Sequence, residues 1–143
     1  MGNVTVLVKL TNEQDAALGR RGHISREDVR SCEVEAVVDT DEVLMCLPED
    51  LVEQLGLSPC PAQTMRSANG RPCKVRRATT LQIQIGDRLA HQDCAVLPRG
   101  AQPRVGRLVL HMMDLVVDEE RECLAPGHPD ADGPVYDLLS HAA

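Results

Sequence analysis

The residues with the clearest chemical potential stand at the end of one apolar run. Val34-Glu35-Ala36-Val37-Val38 delivers Asp39 and Thr40, a carboxylate and a hydroxyl, and two more acids, Asp41 and Glu42, follow at once. A carboxylate presented at a strand end can serve as a general acid or base, or it can simply cap the turn that follows. Clustered carboxylates such as Asp41 and Glu42 also suit a hard cation, and the plainer reading of that pair is a solvated acidic loop. Other side chains offer less. The cysteines at 32, 46, 60, 73, 94 and 123 include no Cys-x-x-Cys pair, and no closely spaced histidines accompany them. Zinc sites normally draw two ligands from one turn of chain, so the sequence predicts no metal. His91 and His111 are isolated, with no Ser or Cys spaced as a nucleophile motif.

The elements that must position Asp39 are readable around it. Val4, Val6, Val8 and Leu10 alternate as in a half-buried strand. Residues 12–31 are polar, with helical turns expected at Asp15–Leu18 and Ser25–Val29 inside a surface loop. Cys32–Asp39 is the second strand and Val43–Leu47 a buried third. Pro48 suits the first position of a helix, Glu49 and Asp50 its positive end, and Gly56 its close. Ser58–Pro61 reads as a short rigid connection. Asn69-Gly70 between the extended arms of Gln63–Arg77 is a strong hairpin signal. Thr80–Ile85 and Leu89–Leu97 form a second hairpin across Gly86-Asp87. A short helix is expected over Leu108–Leu115, then Val116-Val117-Asp118 and a last extended piece at Cys123-Leu124.

Composition narrows the class. A chain of 143 residues suits one domain. With no Phe, no Trp and a single tyrosine, Tyr136, its core must be aliphatic. A net charge of −7 argues against nucleic acid as a partner, and so does the lack of aromatic stacking platforms. No run approaches the ~20 apolar residues of a membrane span, and no signal peptide is visible. Met1-Gly2 opens like an acylation site, but Val6 stands where that pattern wants Ser or Thr. The expected location is cytoplasmic, with the cysteines reduced and either buried or at the surface. From Ala125 the composition turns to Pro, Gly, His and Asp. The expected division is a folded domain over 1–125 and a Pro/Gly-rich tail over 126–143, in which Val135, Tyr136, Leu138 and Leu139 dock as one apolar patch.

Several of these segments resemble the retropepsin-like aspartic proteases, most closely the small bacterial single-domain members. Val37-Val38-Asp39-Thr40, then Leu47-Pro48-Glu49-Asp50-Leu51 and Leu55-Gly56-Leu57, resemble that family's active-site segment. Arg66–Arg71 sits where the family carries its flap. Val96-Leu97-Pro98 and Val105-Gly106-Arg107-Leu108 resemble the turn into the final helix, and Met113–Asp118 the family's ending. The likeness spans residues 3–125. It implies a mostly β fold, a closed half-barrel with one or two short helices that forms dimers.

The resemblance also implies a hydrolase. It assigns catalysis to Asp39, with Thr40 locking the loops, and the flap over substrate to Ser67, Ala68, Asn69, Gly70 and Arg71. Two carboxylates sharing a proton are needed, one to activate water and one to bond the scissile carbonyl. A chain with one Asp-Thr motif supplies the second only as a homodimer. The implied substrate is an extended peptide or unfolded protein, with no cofactor and no membrane partner. The family reads Asp-Thr-Gly or Asp-Ser-Gly, then Ala or Ser, whereas this chain reads Asp39-Thr40-Asp41-Glu42. That altered loop leaves open a catalytically impaired relative, a pseudoenzyme that holds a peptide by strand addition without cutting it. Two like charges ~4 Å apart cost about 4 kcal/mol at an effective dielectric near 20, so the extra acids need an answer in a dimer. The basic residues Arg66, Arg71, Lys74, Arg76 and Arg77 flank the flap turn, to steer an acidic peptide, to balance the acidic centre on dimerisation, or as a solvated face.

Overall fold

Apolar alternation along successive segments builds a barrel whose interior is aliphatic. The computed structural model describes residues 3–137. Strand β1 (Thr5–Asn12) pairs antiparallel with β2 (Ser31–Val38), joined by helix α1 (Glu13–Arg20) and a 3-10 turn at Arg26–Asp28. Then come β3 (Met45–Pro48), α2 (Glu49–Leu55), β4 (Ser58–Arg66), β5 (Pro72–Ile85), β6 (Arg88–Leu97), the two-residue β7 (Arg104–Val105) and α3 (Arg107–Met113). A separate ribbon of β8 (Leu115–Asp118) and β9 (Cys123–Pro126) ends the fold. The strand order is β1-β2-β7-β3-β6-β5-β4, and a further pairing of β1 with β5 closes the ring. Only β4 hangs outside it, as one arm of a projecting hairpin.

The mostly β, retropepsin-like fold expected from the sequence is therefore present. Val8, Leu10, Met45, Leu47, Leu55, Leu81, Ile83, Val105, Val109 and Met113 are fully buried in its core. Burial of each such side chain contributes about 1.5–3 kcal/mol relative to exposure, which replaces what aromatic residues supply elsewhere. No helix among the described residues is long and apolar enough to cross a membrane.

Three local differences from the sequence reading have physical causes. The 12–31 stretch is not a plain surface loop but carries an eight-residue helix, α1. Its start is capped by Asn12, whose Oδ1 accepts from the Asp15 amide at 3.0 Å. The same Asn12 donates through Nδ2 to Leu55 O at 2.8 Å, tying α1 to the end of α2. Ser58–Pro61 is the first half of β4 rather than a connection. Proline lacks the ladder donor, and β4 is the edge strand, where that lack is tolerated. The two expected hairpins also share one strand, since β5 runs 14 residues and serves both. α2 ends as expected, with Gly56 left-handed at φ 66°.

The segment beyond β9 folds back on α3 through polar contacts. Asp114, at the C-cap of α3, accepts from Val135 N at 3.0 Å and bonds His128 Nδ1 at 2.8 Å. Its carbonyl accepts from Gly127 N at 2.8 Å, and the Tyr136 hydroxyl bonds Met112 O. Val135 and Tyr136, two of the four residues expected to dock as an apolar patch, are exposed. Leu138 and Leu139, like Met1 and Gly2, lie outside the described residues.

Candidate active site

Asp39 follows directly on β2, and the loop it begins is clamped from two sides. On one side, β7 pairs with β2, so that Val37 N donates to Pro103 O at 2.9 Å and Asp39 N to Val105 O at 3.0 Å. On the other, the first amides of α3, which have no partner within the helix, donate into the loop. Arg107 N reaches Glu42 O at 2.9 Å and Leu108 N reaches Val43 O at 3.1 Å. This contact requires glycine at 106. A Cβ there would lie 2.3 Å from Leu44 O and 2.6 Å from Val43 O, so any side chain would push α3 off the loop.

Within the loop, Glu42 N donates to Asp39 O at 3.2 Å, closing a turn, and Asp41 N donates to Asp39 Oδ1 at 3.0 Å. Asp41 thus keeps the backbone donor that holds the carboxylate, while its own side chain points to solvent. The Asp39 side chain is 27% exposed, which leaves it reachable. Its second oxygen, Oδ2, is engaged by Arg104 Nη1 at 3.2 Å, and the same nitrogen lies 3.8 Å from Glu42 Oε1. Arg104 was not among the residues the sequence singled out. It lies 65 positions from Asp39, and only the barrel topology brings β7 between β2 and β3.

Opposite the loop, the β4–β5 hairpin forms a projecting flap. Its turn is closed internally: Ser67 N and Ser67 Oγ both donate to Arg71 O, at 2.8 and 3.0 Å, and Gly70 N donates to Ser67 O at 2.8 Å. Asn69 Oδ1 accepts from Arg71 N at 3.1 Å. Between flap and loop runs a groove of about 680 Å³, lined by Asp41 and Glu42 on one side and by Met65, Ser67, Ala68 and Val75 on the other. So the structure brings together Asp41, Glu42, Ser67 and Ala68. Asn69, Gly70 and Arg71 form the flap tip beyond the groove lining. Thr40 opens to a different hollow of about 630 Å³, beside Leu108, Leu115 and Val116.

Of the flap's basic residues, Arg76 pairs with Glu49 and Arg77 with Asp93, each at 3.0 Å. Arg66 reaches the groove, while Arg71 and Lys74 stand exposed on the hairpin. Burial, helped by the nearby Glu42 carboxylate, pushes the Cys46 thiol up to about 12, and burial does the same to Cys94. Cys46 is therefore a neutral thiol near pH 7. His91 sits 3.4 Å from Glu13, in a pair that does not involve Cys46. All six cysteines are free, and among the described residues no group of three or more His, Cys, Asp or Glu is arranged for a metal ion.

No curated protein matches the sequence. Residues 28–110, running from just before β2 into α3, match the family model described as aspartyl protease. That span holds the Asp39 loop, the flap and Arg104. With more than half its length matched and a barrel of the corresponding type, this chain belongs to the retropepsin-like aspartyl protease family.

Proposed function

We propose that the protein is an aspartic endopeptidase that works as a homodimer, with Asp39 of each copy sharing one proton and activating a water for attack on a peptide bond. The observation that carries this reading is the Asp39 loop itself. A reachable carboxylate is held by a backbone amide on one oxygen, and the two acids that follow in its loop, Asp41 and Glu42, line a groove roofed by a hairpin. Such a groove beside a strand hairpin suits an extended chain, whose backbone can pair along a strand. The substrate class is accordingly an extended peptide or an unfolded protein segment.

One chain supplies one such carboxylate, and the chemistry needs two. The surface beside Thr40 supports a second copy seated there. Leu108 and Val116, 40% and 50% exposed, leave apolar area open next to the loop, where a two-fold partner would bring its own Asp39. Thr40 is then placed to bond across from loop to loop.

A second reading is favoured by one specific feature. Asp41 and Glu42 add two acids to the loop that carries Asp39. If that charge keeps two copies of the loop from sharing a proton, the groove holds peptides without cutting them. Incubation with an unfolded protein from acidic to neutral pH separates the two. The peptidase reading predicts cleavage that disappears in Asp39→Asn. No cleavage across that range, with peptide still bound, establishes the binding module instead.

A further inference from the structure

Three acids within four residues need a counter-charge, and the structure supplies one from the neighbouring strand β7. Among the described residues, Arg104 is the only cation paired with Asp39 or Glu42. Its position is fixed by backbone rather than by chance side-chain contact. The residues on either side of it, Pro103 and Val105, accept from Val37 N and Asp39 N. Arg104 itself is in register with Val37 on β2 and with Cys46 on β3, the two strands that bound the acidic loop. One guanidinium nitrogen therefore reaches both Asp39 and Glu42 from a point held by both flanking strands.

We propose that Arg104 is a positioning residue of the site: its guanidinium fixes the orientation of the Asp39 carboxylate and offsets the charge that Asp41 and Glu42 add to the loop. This rests on the peptidase reading and deepens it. Without Arg104 each loop carries three negative charges, and with it two. Pairing two loops across a two-fold axis is easier by that difference. The Asp41 amide, bonded to Asp39 Oδ1, reports the carboxylate's orientation from inside the loop.

The experiment compares wild type with Arg104→Leu, Arg104→Gln, Arg104→Lys and the double variant Arg104→Leu/Glu42→Gln. Two readouts are taken on the full chain: the rate of cleavage of an unfolded protein, and the Asp41 cross-peak in a nitrogen–proton correlation spectrum. Arg104→Leu is expected to lower cleavage about tenfold and to move the Asp41 peak, with Arg104→Lys losing less. Adding Glu42→Gln to Arg104→Leu is expected to recover part of the rate and to return the peak toward its wild-type place, because the offsetting charge is then less needed. Arg104→Gln takes the place of Arg104→Leu, alone and with Glu42→Gln, if the leucine variant does not fold. A rate within about twofold of wild type, an unmoved Asp41 peak, or a loss that Glu42→Gln does not relieve overturns the proposal. If wild type cleaves nothing, the peptidase reading fails and the Asp41 peak still decides. Movement relieved by Glu42→Gln sustains the positioning role, and a fixed peak ends it.

Discussion

Strand β2 has an arginine–carboxylate pair at each end, and the two are built differently. At its start, Arg30 gives Asp15 three hydrogen bonds, from N, Nε and Nη2, at 3.0, 2.7 and 3.0 Å. The Asp15 side chain is only 10% exposed, and both its oxygens are taken by the same arginine. At the strand's other end, Asp39 receives a single 3.2 Å contact from Arg104 and one from the Asp41 amide, and stays 27% exposed. The first arrangement is a closed staple that ties α1 to the barrel. The second holds a carboxylate in place without sealing it. Side chains of the same type are thus closed off or left reachable according to how many of their bonding positions the fold uses up.

The largest expected effect separates these roles outright. Asp39→Asn should lower cleavage by ~10²-fold or more, the scale of a lost acid–base group, while its urea unfolding midpoint barely moves. Next in size is Gly106→Ala. The added methyl meets two loop carbonyls, at 2.3 and 2.6 Å, so α3 or the loop must shift. A loss of about 1–3 kcal/mol in unfolding free energy is expected, together with reduced cleavage, since the same contact positions Asp39.

Asp15→Asn should do the reverse of Asp39→Asn: a stability loss on the order of 1 kcal/mol with cleavage per folded molecule unchanged. It also has a pH signature. The hydrogen bonds from Arg30 hold the Asp15 carboxyl below the usual carboxylate range. A carboxyl depressed in the folded state contributes stability above its unfolded value, ~3.9, and loses it as pH falls through the folded value. The gap between wild type and Asp15→Asn in urea midpoint should therefore narrow on acidification below about pH 4. Loss of cleavage in Asp15→Asn at full folding breaks the comparison.

The smallest effect belongs to the tail. The His128 contact is the leading cause that holds the Asp114 carboxyl low, followed by the Val135 amide. His128→Ala should quicken hydrogen exchange at Val135 and Gly127, with no measurable change in cleavage. A change in cleavage instead would tie the tail to the site.

Much of this was legible locally. The alternation of Val4–Leu10 and Thr80–Ile85, the Asn69-Gly70 turn and the Pro48–Gly56 helix each declare themselves within a dozen residues. The Asp39-Thr40 motif of the proposed site is contiguous, so it stands out in the sequence. What stayed hidden depends on distant partners. α1 has no clean apolar period and is held by Asn12 and Arg30 bonds to other elements. Arg104 sits on a two-residue strand whose importance comes wholly from its neighbours, and no local pattern marks it. The prolines of β4 suggested a break because edge position cannot be seen in sequence.

The most direct test of a site shared by two copies is a mixing series. Wild type and Asp39→Asn are co-refolded in varied proportion and cleavage is measured at constant total protein. If each active unit needs Asp39 from both copies, an equal mixture retains about one quarter of the wild-type rate, because only wild-type pairs are active. Retention of about one half, falling in line with the wild-type fraction, would mean that each chain acts alone and would contradict the account.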